Sequence, residues 1–235
     1  MTTTAHGFAV RLDALKAELV QQGRRVQALI EKAFDSVLAR DPAAAQAAIA
    51  LDEEVDRVDV ELERASVALL QDATREGAQL STEQLRMVLT IAKINNELER
   101  IADAGVDVAE QVPALQKGNI VFPETFRVLA NSVIGILRDA DTSFSRLDPA
   151  LAKVVLASED AVEEFKKAVL REAQVQVSKG KLSVDEAFLL QELATNCEIM
   201  AGHCTNIAEQ VLYVATGAIV RHMQGHWQQY ELPKP

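Results

Sequence analysis

LARDPAAAQAAIALDEEVDRV, Leu38 to Val58, and SRLDPALAKVVLASEDAVEEF, Ser145 to Phe165, are one stretch written twice at a constant shift of 107 residues. Asp41-Pro42 answers Asp148-Pro149, Asp52 answers Glu159, Val55 answers Val162 and Asp56 answers Glu163. Upstream, the same shift carries Val26 to Val133, Ile30 to Leu137 and Ala33 to Ala140. Downstream the shift shrinks: LSTEQ at 80–84 answers LSVDE at 182–186, and VAEQV at 108–112 answers IAEQV at 207–211. The length differences therefore fall in loops. A unit of this length is too long for a solenoid repeat and points to a duplicated small domain.

Each copy reads as three helical segments, over 8–39, 42–75 and 81–112, then 123–146, 149–179 and 183–222. Asp-Pro opens the second segment in both, an N-cap followed by proline where the missing N–H costs nothing. Ser81 with Gln84, and Ser183 with Glu186, read as capping boxes for the third segments. Gly77 and Gly180 punctuate the preceding junctions, and Pro113, Gly118 and Pro123 interrupt helix between the copies. Ile91, Ile94, Leu98, Ile101 and Ala102 form a stripe at helical spacing, and no run alternates as a strand. The expected fold is all-α: six helices in two tandem antiparallel three-helix bundles, residues 1–115 and 121–223, with a polar tail over 224–235.

Composition narrows the function. Of the 235 residues 49% are hydrophobic but only 4% aromatic, which suits helices better than sheets. A net charge of -11 argues against nucleic-acid binding, which needs clustered Lys and Arg, and suits cations or a basic partner surface. No basic segment leads an apolar run at the N-terminus and no long apolar stretch occurs, so a cytoplasmic protein is expected. Cys197 and Cys204 lie seven residues apart in one helix, roughly 10 Å between Cα atoms at ~1.5 Å per residue, too far for a disulfide. They read as reduced, buried packing. No glycine-rich phosphate loop, G-x-S-x-G, H-E-x-x-H or C-x-x-C is present, and His6, His203, His222 and His226 lack catalytic companions, so no enzyme is expected.

One stretch is unusual in its charge. In NNELERIADAGVDVAEQV, Asn95 to Val112, Glu99, Asp103 and Asp107 stack four residues apart beside Asn96 and Arg100. Asp52 and Asp56 make a second row, Glu159 and Glu163 a third. Like charges at this spacing repel by about a few tenths of a kcal/mol per pair. Hard cations would reverse that cost, because carboxylate oxygens are their preferred ligands. Spacing alone leaves a solvated acidic face and a metal site both open.

LRMVLTIAKINNELERIADAGVDVAEQV resembles the signature of the PhoU family of phosphate-signalling proteins. Leu85-Arg86 matches its Leu-Arg pair, and ELERIAD at 97–103 its acidic third-helix segment, with Ala102 where glycine is usual. HGFAVRLDALKAEL resembles the family's first helix, ALDEEVDRVDVELER its second-helix Asp-x-x-x-Asp pattern, and HCTNIAEQVLYVATG its closing segment, followed by Gly217 and Arg221-His222. The resemblance covers essentially the whole chain. It implies a six-helix, non-enzymatic cytoplasmic regulator, a homodimer, acting with the Pst phosphate ABC transporter and a PhoR-type sensor kinase and reaching the membrane through them. Such a regulator restrains the phosphate-starvation response and phosphate uptake. The family's acidic rows bind metal, multinuclear iron or Mg²⁺-type ions, with Mn or Zn also compatible. Carried over, the metal residues are Asp52, Asp56, Glu99 and Asp103, with Asp107 added from spacing, and in the second copy Glu159, Glu163 and Glu198. There Gly202 replaces the aspartate and Ile199 the arginine, so one competent cluster and one weak or empty one are expected. Two other readings stay open: a carboxylate bundle that buffers cations, and a PhoU-like partner of a different phosphate transporter.

Overall fold

The computed structural model describes residues 5–118, 120–223 and 226–230. In chain order its elements are α1 (Ala5–Ala39), α2 (Pro42–Ile49), α3 (Asp52–Arg75), α4 (Thr82–Glu110), α5 (Val112–Lys117), α6 (Glu124–Arg146), α7 (Pro149–Ala157), α8 (Glu159–Ser178), α9 (Val184–Thr216), β1 (Ile219–Met223) and β2 (His226–Tyr230). The fold is a duplicated helical bundle. The first half packs α1 against α2, α3 and α4, and the second packs α6 and α9 against α7 and α8.

Local signals repeat pair by pair. Arg40 and Leu147 both end a first helix with positive φ, 53° and 50°. The next residues close the turn alike, Asp41 N–H on Ser36 O at 2.9 Å and Asp148 N–H on Ser143 O at 2.8 Å. Asp41 then caps Ala43 and Ala44, and Asp148 caps Ala150 and Leu151. Both capping boxes are formed, Ser81 with Gln84 and Ser183 with Glu186, each satisfying two donors that a helix start leaves free.

The second segments depart from the expected single helices. The run expected over 42–75 is α2 and α3, interrupted at Ala50 and Leu51, and the run over 149–179 is α7 and α8, interrupted at Ser158. These residues keep right-handed helical dihedrals, and turn-type bonds such as Leu51 N–H on Ala48 O tighten the chain without proline or glycine. The new starts carry Asp52, Glu53 and Glu54, or Glu159 and Asp160, favourable charges at a helix N-terminus. The last segment also stops short of 222. Gly217, at φ 76°, ends α9, and Ile219–Met223 pairs antiparallel with His226–Tyr230 in register Ile219↔Tyr230. Part of the expected polar tail is thus β2. Residues 224, 225 and 231–235 lie outside the described residues, as do the side chains of His6, His222 and His226.

The two halves are not separate bundles on a string. α4 lies along α9 and α1 along α6, and one hydrophobic cluster runs through both halves. Phe8, Phe34, Phe126 and Phe144 are its largest side chains, each 2% exposed or less. Gly105 lets α4 close on α1: a Cβ there would meet Ile30 Cδ1 at 2.3 Å and Leu29 Cδ2 at 2.6 Å. Cys197 and Cys204 are free and buried in α9, and burial pushes both thiols up.

Candidate metal centre

The acidic rows lie along the seam between second and third helices of each half. In the first half, α3 contributes Asp52, Asp56 and Asp59 at i, i+4 and i+7, and α4 contributes Glu99 and Asp103. These carboxylates act on one another. Asp52 is pushed up to about 6, first by burial and then by the charges of Asp56 and Asp103. Glu99 is raised by burial and Asp103, against the pull of Arg100, and further by a hydrogen bond with Asp103 and the charge of Asp59. Asp59 is raised by burial, then by Glu63 and Asp56. The structure therefore brings Asp52, Asp56, Glu99 and Asp103 into one electrostatic group. Asp107 is exposed one turn further on and is not among the charges acting on Asp52 or Glu99.

Donors for these oxygens are few. Asn95 Nδ2 donates to Asp59 Oδ1 at 2.7 Å and Asp59 O at 3.0 Å, and Arg100 Nε stands 3.5 Å from Glu99. Asp52 Oδ1 is buried with no hydrogen-bond partner. An orphaned buried carboxylate oxygen among like charges is costly unless a cation joins it. The all-oxygen donor set suits a hard cation, but among the described residues no group of three or more His, Cys, Asp or Glu already converges to hold a metal ion. Side-chain rotation would have to close the group around an ion.

The second seam is built differently. Lys166 Nζ lies 2.5 Å from Glu198 Oε2, while Lys167 Nζ holds Glu163 at 2.7 Å and Glu164 at 3.0 Å. Lys167 holds the Glu163 carboxyl below its usual range. Glu159 opens α8 one turn before Glu163. Gly202 leaves open space where a carboxylate would project, with nothing within 4 Å of a Cβ. Of the three acidic residues expected here, Glu163 and Glu198 already have ammonium partners.

Asn206, aligned with Asp107, faces the other half instead. Its Nδ2 donates to Glu97 Oε2 at 2.9 Å, and His203 Nδ1 reaches the same oxygen at 2.7 Å. Burial pushes Glu97 up, but the bonds from His203 and Asn206 outweigh it and hold the carboxyl below its usual range. Along the same α4–α9 wall, Arg86 covers the Tyr213 ring at 5.7 Å, and its guanidinium lies over Gly217, with Nη1 2.5 Å from where a Cβ would stand. Sequence reading passed over Asp59, Asn95, Glu97 and Lys166. The i+7 spacing of Asp59 from Asp52 was the available signal for the first; the others depend on which helices meet.

The PhoU domain matches the chain twice, over residues 19–112 and 126–211. The phosphate-specific transport system accessory protein PhoU homolog 1 of Thermotoga maritima is 26% identical over 212 residues, covering 89% of each chain. The corresponding homolog of Aquifex aeolicus is 27% identical over 212 residues, 90% of this chain and 94% of its own. Among solved structures, the phosphate transport system regulatory protein PhoU from Streptococcus pneumoniae superposes with a TM-score of 0.83 at 20% identity, over 92% of this chain and all of that one. PhoU from Pseudomonas aeruginosa gives 0.81 at 23% identity, over 89% and 99%. These two show the fold. With both of its halves matched by the PhoU domain, the chain belongs to the PhoU family, a family of accessory regulators rather than enzymes.

Proposed function

We propose that this protein is an accessory regulator of phosphate-specific transport. It restrains phosphate uptake and the phosphate-starvation response through contacts with the Pst ABC transporter and a PhoR-type sensor kinase. The observation that carries this reading is the double PhoU match, one per half, together with relatives whose names assign them to the phosphate-specific transport system. The protein works as a cytoplasmic homodimer. No helix among the described residues is long and apolar enough to cross a membrane, and its partners bring it there. A net charge of -11 favours basic surfaces on those partners.

In the same reading the α3–α4 seam takes a hard cation. Asp52, Asp56, Glu99 and Asp103 hold it, with Asp59 and Asn95 behind them. The orphaned Asp52 Oδ1 supports this, and the oxygen-only donors favour Mg, Mn or iron over zinc. The cation supplies positive charge that draws α3 and α4 together; the chain's own residues supply the surface that partners read.

The test is co-purification from phosphate-replete cells of wild type and Asp103→Ala, with elemental analysis of both. Wild type is expected to bring down the transporter ATPase or the sensor kinase and to carry more metal than the variant. Absence of both partners would sink the regulatory reading, and equal metal content the seam assignment.

A further inference from the structure

We propose that the Lys166 ammonium is the built-in cation of the second half, occupying the place that the first half leaves for a metal ion and making the α8–α9 seam independent of metal. This rests on the metal reading of the first seam given above.

The repeat supplies the comparison. The shift of 107 maps Asp59 onto Lys166, and the smaller shift that aligns VAEQV with IAEQV maps Glu99 onto Glu198. In the first half both positions are carboxylates, Asp59 held by the neutral amide of Asn95 at 2.7 Å and Glu99 with Arg100 Nε 3.5 Å away. In the second half the same two positions form an ion pair at 2.5 Å, with the Lys166 side chain only 19% exposed. Neighbouring positions changed to match. Asn95, the donor that holds Asp59, maps onto Ala194, and Asp103 onto Gly202. Across the six aligned positions the first half has six carboxylates, and the second has three with one ammonium.

A tethered ammonium excludes a divalent ion from the same place. The ion would have to take Glu198 from Lys166 and then sit beside a displaced, half-buried positive charge. Because Lys166 belongs to the chain, the second seam stays neutralised whatever the free metal concentration. Metal therefore acts on α3 and α4 and leaves α8 and α9 unchanged, and its effect on the molecule is one-sided.

The experiment uses the full chain with Mn²⁺ as the probe, by equilibrium dialysis and by thermal melting with and without the ion. The variants are Asp103→Ala, Lys166→Asp and Lys166→Ala. Wild type should bind Mn²⁺ at the first seam only, and Asp103→Ala should lose that binding. Lys166→Asp should bind one further equivalent, and Lys166→Ala should melt lower than wild type and recover at least half of the loss in Mn²⁺. A second wild-type equivalent that survives Asp103→Ala would overturn the proposal. So would failure of Lys166→Asp to gain Mn²⁺ together with failure of Lys166→Ala to recover. If wild type binds none but Lys166→Asp does, the first-seam reading falls and the role of Lys166 stands.

Discussion

The two halves kept their turns and diverged in their seams. Arg40 and Leu147 end the first helices alike, Asp41 and Asp148 cap the second, and Ser81 and Ser183 box the third. Between the helices the pairs differ. Asp59, held by Asn95, corresponds to Lys166, paired with Glu198; Phe34 corresponds to Asp141, and Gly105 to Cys204. Turn chemistry acts within a few residues and survives any rearrangement of what packs around it. Seam chemistry depends on the side chains that the neighbouring helix brings, even though the helices meet alike: α4 touches α1, α2, α3 and α9, and α9 touches α6, α7, α8 and α4. The duplicated frame therefore holds two different sets of side-chain partners.

The sharpest test of that divergence is Asp141. It stands where the first half places buried Phe34, and it presses against α1 so closely that a Cβ at Gly23 would meet its Oδ1 at 2.4 Å. Its Oδ2 is buried without a partner, and burial pushes the carboxyl up to about 7 despite the pull of Arg24. An acid raised in the folded state carries no penalty below the unfolded value near 3.8, where both states are protonated. The penalty grows as pH rises from there to about 7 and is complete above it. Asp141→Asn should therefore gain up to about 4 kcal/mol over wild type at pH 8 and almost nothing at pH 4, at 1.36 kcal/mol per pKa unit. Urea unfolding of both proteins across that range checks it, and a difference independent of pH would show that Asp141 is not the source.

Two glycines of the third helices give a smaller effect with opposite signs. Gly105→Ala forces a methyl onto Leu29 and Ile30, both fully buried, and should cost about 1–2 kcal/mol. Gly202→Ala enters open space in α9 and should gain about 1 kcal/mol from helix propensity alone. Equal signs in thermal melts would mean that Leu29 and Ile30 give way at Gly105 without cost, or that the space at Gly202 is not open.

The smallest expected effect is also the most symmetric. Ser81→Ala and Ser183→Ala each remove one half of a capping box and should each cost about 1 kcal/mol. A loss confined to one half would break the rule that local turn chemistry stayed equivalent.

Most of the fold was legible because duplication writes each local signal twice. Asp-Pro, Ser-x-x-Gln and Ser-x-x-Glu mark helix starts by chemistry that needs no tertiary partner. The interruptions at Ala50–Leu51 and Ser158 were not legible, because those residues keep helical dihedrals and no proline or glycine announces the change. The hairpin after Gly217 was hidden by its two short strands, which alternate too briefly to stand out. In the α3–α4 seam, i, i+4 spacing picked out the rows Asp52/Asp56 and Glu99/Asp103 as acidic faces and left open whether they hold a cation. Asp59 carried the weaker i+7 signal, whereas Asn95 and Lys166 gain their meaning only across a helix pair, and a one-dimensional spacing rule cannot see across it.

The position of α9 bears on how the chain is made. α9 ends 106 residues after α4 does, yet it lies along one side of α4 and against every helix from α6 to α8. At about 5–20 residues per second on the ribosome, α4 waits roughly 5–20 s with that side uncovered. The hydrophobic cluster that runs through both halves closes only once α9 has been released. A nascent chain stalled before Val184 therefore leaves an apolar surface for chaperones to guard.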